Sequence, residues 1–191
     1  MKLFNFKNKR QSSIYKDIIR TNFDRERLKA LKLSDGEYEY RIVCGKDKIN
    51  SISTRPINNA LDNFYANEKS SLKEFDDFFK SNRALEAENP FLTNLLQKIE
   101  FSEDRLLGLS ILLMRDSQIE ESVKFGMLLS KYYDLRNYNK VEKIFIDLMS
   151  HPTFVYYGLD YLMTVDYSII DEIYENSFYF AKQIIEEKVW I

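Results

Sequence analysis

Few side chains in this sequence are of a type and spacing that could do covalent chemistry. His151 is its single histidine and Cys44 its single cysteine, which rules out a histidine-rich metal site and an internal disulfide. His151 stands between a helical pattern and Pro152. The predicted role there is helix-end capping, with a cation suited to the C-terminal dipole of the preceding helix. Cys44 is predicted to be a small buried apolar residue. The acid pairs Asp76–Asp77, Asp171–Glu172 and Glu186–Glu187 are adjacent in sequence, so their side chains point about 100° apart around a helix. That geometry suits neither a shared metal nor an acid–base couple. Gly45–Lys46 has no upstream glycine at the spacing of a phosphate loop. The reading is of a chain that is not an enzyme, with no catalytic residue, metal ligand or cofactor.

One constellation points to binding. Tyr156, Tyr157, Asp160 and Tyr161 are followed by Asp171, Glu172 and Glu175. Tyr157, Asp160 and Tyr161 fall at i, i+3 and i+4, one surface stripe of a helix. Tyrosine rings beside carboxylates suit a basic protein partner, with rings as anchors and acids as steering charge. Tyrosines packed as core with polar tips, and acids simply solvated, is the bland alternative. Tyr and Phe together number 27, more than a helical core of this size needs, so some rings are expected at a surface.

These residues are carried by Asn137–Thr164, which reads as two helices joined by a short corner. Val141, Ile144, Phe145, Leu148 and Met149 form one face of the first, with Glu142, Lys143 and Asp147 on the wet side. Asn137 is its predicted N-cap. Pro152 stops that helix and suits the first turn of the next, whose apolar residues are Phe154, Val155, Leu159, Leu162 and Met163. Burying five apolar side chains yields about 7–15 kcal/mol, whereas fixing thirteen backbones costs about 13–26 kcal/mol. The hairpin therefore needs neighbours, as the unit of an α-solenoid does.

Elsewhere the pattern predicts more helices. Residues 1–11 read as a basic leader and Ser12–Lys32 as a helix with one apolar face and Lys and Arg on the other. Ser34–Glu37 fits a capping box, although EYEYRIVCG also alternates like a strand; a helix is predicted. Lys46–Pro56 reads as a loop. From Ile57 to Lys80 there is one long helix, or two broken near Asn67–Ser71. Asn89–Pro90 marks a helix start, with Phe91, Leu92, Leu95, Leu96 and Ile99 on its face. Ser102 caps a helix that is apolar on most sides, Ser117–Glu120 forms a second capping box, and a last helix runs from Asp166 to Lys188. Trp190 is placed to fold over the final groove. A shift of 36 residues lays Leu112–Leu113 over Leu148–Met149 and Ser117 over Thr153, close to the periods of helical repeats.

At 191 residues the chain reads as a single helical domain, most repeat-like over 90–188. The net charge of −2 conceals an asymmetry. Residues 1–33 carry ten Lys/Arg against three acids, and from Gly158 onward seven acids face two lysines. The N-terminus has no apolar h-region and the near-apolar run Leu106–Met114 is too short for a bilayer, so a cytoplasmic protein with no membrane role is expected.

Residues 90–165, including LLGLSILLMRDSQIEESVKFGMLLSKYYDLRNYNKVEKIFIDLMSHPTFVYYGLDYLM, resemble the HEAT-like α-helical repeats of bacterial proteins. The resemblance implies an all-α fold, an α-α superhelix stacked right-handedly from antiparallel helix pairs, with a concave surface. It does not imply an enzyme, because that scaffold hosts immunity proteins, other scaffolds and a few DNA glycosylases. The expected function is a non-catalytic protein-binding module, sharpened to an immunity-type inhibitor that neutralises a basic toxin or enzyme. The alternatives are nucleic-acid binding or DNA processing by a HEAT-like protein through the basic N-terminal helix, or a self-associating scaffold. The oligomeric state is left open.

Overall fold

The computed structural model describes residues 12–97 and 102–190. The expected leader at 1–11, and Ile99, lie outside them. The described residues are helical without a strand: α1 Ile14–Arg20, α2 Arg25–Lys29, α3 Glu37–Val43, α4 Arg55–Tyr65, α5 Ser71–Phe79, α6 Ala84–Leu96, α7 Glu103–Asp116, α8 Glu120–Leu129, α9 Asn139–Leu148, α10 Pro152–Val165, α11 Tyr167–Asn176 and α12 Ala181–Val189. Two 3₁₀ turns, Ser130–Tyr132 and Leu135–Asn137, connect α8 to α9.

The centre of the molecule is α8. Every residue from Glu121 to Leu129 is buried, because α5, α6, α7 and α10 all pack on it. Phe125 stands in an aromatic nest, with ring centroids 4.9 Å from Phe79, 5.1 Å from Phe91 and 6.5 Å from Phe75. The α9–α10 hairpin forms beside this core: Val141, Phe145, Leu148 and Met149 are buried as the periodicity requires. Within this part α7 contacts α9 and α8 contacts α10, while α12 continues past α10. The chain then closes on itself across long sequence distances. α1 packs on α7 and α9, and α3 packs on α12.

Several boundaries differ from the sequence expectation, each for a local reason. The basic stretch is two short helices, because Asn22 and Phe23 both adopt positive φ (52° and 59°). Asp24 then caps α2 by accepting from the Arg27 N–H. The helix expected at the Ser34–Glu37 box forms, but Gly36 is its N-cap, at φ 88°. That left-handed conformation favours glycine, and an added Cβ would lie 3.4 Å from the Pro152 carbonyl. Asn67, at φ 58°, separates α4 from α5. Tyr138, not Asn137, precedes α9. The last helix is broken into α11 and α12, with Tyr179 at φ 52° in the corner.

Pro90 does not start a helix; it lies inside α6. Proline removes the N–H that would bond the carbonyl four residues earlier. That carbonyl belongs to Glu86, and it accepts instead from the Ile52 N–H at 3.4 Å. Ser117 closes α7 rather than capping α8 through a box; its hydroxyl bonds Asp76 and receives the Ile119 N–H at 3.0 Å. Asp147, expected on the wet face, is buried. It accepts from the Tyr15 hydroxyl at 3.0 Å and from Lys143 at 2.8 Å, pinning α1 to α9. Cys44 is half-buried rather than buried.

Candidate functional site

The most concentrated polar chemistry is inside the protein. Lys124, on α8, is 0% exposed. Its Nζ lies 2.8 Å from Glu121, 2.9 Å from Glu39 and 3.6 Å from Glu120. Glu39 also accepts from the Tyr157 hydroxyl at 2.8 Å, and the ammonium sits 5.8 Å from the centroid of the Tyr157 ring. Glu121 is further held by Arg83 at 3.0 Å and by the Ala84 N–H at 2.8 Å. Glu120 accepts from the Ser34 N–H at 2.9 Å. The cluster thus joins α3, α8, α10, the chain before α3 and the start of α6.

The titration behaviour follows from this crowding. Burial alone would lower the Lys124 pKa, but Glu39, Glu121 and Glu120 outweigh it and the value is raised. Burial would raise Glu121, yet Lys124 holds its carboxyl below the usual range. Burial first, and then the charges of Glu39 and Glu121, push the Tyr157 phenol well above its ordinary value. A lysine held protonated in this way is no nucleophile at neutral pH. The arrangement stores charge and fixes geometry.

His151 is the second buried polar centre, and it caps the opposite end from the one expected. It is the N-cap of α10, with Nδ1 accepting from the Thr153 N–H at 3.4 Å. The ring donates to the Leu28 carbonyl and lies edge-on to Phe178, with centroids 5.6 Å apart. Burial is the main reason that its pKa falls to about 4, with Lys124 acting in the same direction and the Leu28 carbonyl opposing. The imidazole is therefore neutral rather than the expected cation. Because the folded value lies below the unfolded one, its contribution to stability is fully present above about pH 6.5. It is lost as the pH falls from there towards about 4. His151→Asn, which keeps an acceptor at the cap, should flatten this part of the pH dependence. Urea midpoints of both proteins at neutral and mildly acid pH would show it; parallel profiles would contradict it.

The structure separates the seven residues of the tyrosine–acid constellation. Tyr157 is only 3% exposed and belongs to the Lys124 cluster, so it is no surface anchor. Its i, i+4 partner Tyr161 is half-buried against α9, edge-on to Phe145 and bonded to Glu142. Burial, followed by Glu142, raises the Tyr161 pKa. Tyr156 and Asp160 do come together through Lys188 of α12. The ammonium lies 2.7 Å from Asp160 and 4.5 Å from the Tyr156 ring centroid. Burial, then Asp160, pushes the Tyr156 phenol up to about 12. Asp171, Glu172 and Glu175 are exposed on α11 and carry no ion pair among the described residues. Glu172 lines a groove of about 550 Å³ between α2, α9 and α11, whose apolar floor includes Leu28, Ile146, Met149 and Ile173.

The surface beside these acids was not singled out from the sequence. Tyr167 (57%), Tyr179 (51%), Trp190 (48%) and Val165 are exposed. Trp190 stands edge-on to Tyr174 of α11, with centroids 4.5 Å apart. Tyr174 in turn bonds Glu186 at 2.8 Å. Positive φ at Tyr179 is a tertiary fact that no periodicity encodes.

Among the described residues no group of His, Cys, Asp or Glu is placed to hold a metal ion, and no helix is long and apolar enough to cross a membrane. The chain gives no match to protein-family models, to curated proteins or to solved structures.

Proposed function

We propose that the chain is a non-catalytic protein-binding module whose acidic, aromatic C-terminal surface takes a basic protein, in the manner of an immunity-type inhibitor that masks a toxin or enzyme. One observation carries this reading. Four of the eight exposed large hydrophobic side chains among the described residues fall between Val165 and Trp190, the same stretch that holds most of the seven acids counted from Gly158. Exposed rings among like charges suit an interface anchored by aromatics and steered by electrostatics. A HEAT-like stack is part of the proposal. α7 and α9 begin 36 residues apart, and the two pairs α7/α8 and α9/α10 meet like to like; the right-handed sense rests on the sequence resemblance.

The test is retention of a basic protein from host extract on immobilised protein, compared with the variant Asp171→Lys, Glu172→Lys, Glu175→Lys. Asp160 is left intact because it pairs with Lys188. The purified partner should associate about ten- to a hundredfold more slowly with the variant at low salt. Unchanged association with an intact fold would sink the reading. The alternative is nucleic-acid binding, favoured by the exposure of Lys16, Arg20, Arg25, Arg27 and Lys32 on and beside α1 and α2. Nucleic acid in the eluate, released steeply by salt, would replace the first reading with this one.

A further inference from the structure

The groove of about 550 Å³ between α2, α9 and α11 combines an apolar lining with an excess of acid. Leu28, Ile146, Met149 and Ile173 line it together with Asp24, Asp147 and Glu172, and the one described cation among the lining residues is Arg25. Asp147 is answered by Lys143, and Asp24 accepts from the Arg27 N–H. Arg25 reaches the Ser177 carbonyl at 3.4 Å, whereas Glu172 is exposed and has no ion pair among the described residues. Phe23 also lines the groove and is 44% exposed. Its φ of 59° is one that bulky side chains rarely adopt, and strain of this kind gathers at ligand clamps. The chemistry of the groove therefore suits an apolar segment that carries positive charge.

The chain contains such a segment outside the described residues. Residues 1–11 read MKLFNFKNKRQ, with Leu3, Phe4 and Phe6 among Lys2, Lys7, Lys9 and Arg10 and without an acid. They lead into α1 close to the groove, because the Tyr15 hydroxyl donates to the groove-lining Asp147 at 3.0 Å. Eleven residues can span about 36 Å, enough to turn back along α1. We propose that residues 1–11 bind in this groove of their own chain, with Leu3, Phe4 and Phe6 on its apolar lining and the basic side chains towards Glu172. The tether makes this an intramolecular event at high effective concentration. A second copy's groove face is a poorer occupant, since it carries the same excess of acid. The proposal goes beyond the partner reading and its test needs no partner: of the three acids on α11, only Glu172 lines the groove.

The experiment follows the isoleucine methyl signals of the labelled full chain by NMR. Ile146, Ile169 and Ile173 report on the groove, and Ile57, buried in α4, is the control. Leu3→Asp, Phe4→Asp and Phe6→Asp together should move the groove methyls and leave Ile57 in place. A synthetic peptide of residues 1–11, added to this triple variant, should return them saturably to their wild-type positions. The same peptide carrying Leu3→Ser, Phe4→Ser and Phe6→Ser should bind at least about tenfold more weakly, because the apolar area to be buried is gone. Adding Glu172→Lys to the triple variant should weaken the unaltered peptide about threefold or more at low salt, where exposed charges are least screened. A nitroxide at residue 2, through Lys2→Cys in a Cys44→Ser background, should broaden the groove methyls of the copy that carries it at every protein concentration. Broadening that passes only from one copy to another would give the groove to the segment of a second copy and overturn the proposal. Groove methyls unmoved by the triple substitution, no saturable effect of the peptide, or a peptide affinity unaltered by the serine substitutions or by Glu172→Lys would overturn it as well.

Discussion

Replacing Lys124 by methionine should lower stability at neutral pH by about 3–5 kcal/mol, the usual cost of removing one partner from a buried ion pair. The side chain is of similar length and apolar, so little packing is lost. What is lost is the cation between Glu39 and Glu121. Glu121 would keep Arg83 and the Ala84 N–H, whereas Glu39 would keep only the Tyr157 hydroxyl. The pH dependence gives the prediction a second edge. In the native protein the lowered pKa of Glu121 supplies stability that is present above the unfolded carboxylate value and lost as pH falls through the folded one. Without Lys124 the buried charge is uncompensated, and mild acid should recover stability rather than remove it. Urea unfolding across pH would read both effects. Replacing Glu39 by leucine together with Lys124→Met should restore much of the loss; a double variant no better than the single one would show that the cost is not electrostatic.

Gly126→Ala should destabilise the protein by about 1–3 kcal/mol, although alanine is favoured over glycine in a helix by about 1 kcal/mol. The decisive distances are 2.9 Å from the new Cβ to the Leu113 Cβ and 3.1 Å to the Met114 backbone nitrogen. Neither atom can swing aside, so α7 and α8 would have to separate. The separation would also stretch the 2.6 Å bond from the Ser110 hydroxyl to the Gly126 carbonyl. Gly108→Ala is the matched control. Its Cβ would meet only the Phe64 ring at 3.5 Å, an ordinary contact, so helix propensity should win there and stability should rise. Denaturant midpoints that move in opposite directions would confirm the contrast, and midpoints that rise together would refute it.

The helices that fill a large share of the core were legible from periodicity alone: α9 and α10 because their apolar residues recur at helical spacing and Pro152 marks the corner, α7 because it is apolar on most sides. Breaks set by positive φ at Asn22, Phe23 and Tyr179 were not legible, since none of these is a glycine and nothing local announces them. Pro90 misled because its missing N–H is compensated by Ile52, 38 positions earlier, and that compensation is tertiary. The buried cluster was hidden by its own pattern. Lys124 follows Glu121 by three positions and Glu120 by four, the signature of a solvated helix face. The available signal was the company Lys124 keeps: Val123, Phe125, Met127, Leu128 and Leu129 leave α8 no wet side. Tyr157 showed the converse. The spacing read as a surface stripe, but α10 is surrounded by α8, α9, α11 and α12, which puts that ring in the interior.

The contacts that tie the first forty residues to the rest span most of the chain. Tyr15 to Asp147, Ser34 to Thr153 and Glu39 to Tyr157 are separated by 132, 119 and 118 positions. α1 and the chain around α3 therefore dock on surfaces that α9 and α10 provide more than a hundred positions later in the sequence. Such distant pairing is slow for a helical protein. Until it is complete, Ile14, Ile18 and Leu28 wait without cover, and so do Glu39 and Lys124 without each other. Local opening of α3 would therefore part Glu39 from Lys124 and expose the buried charges.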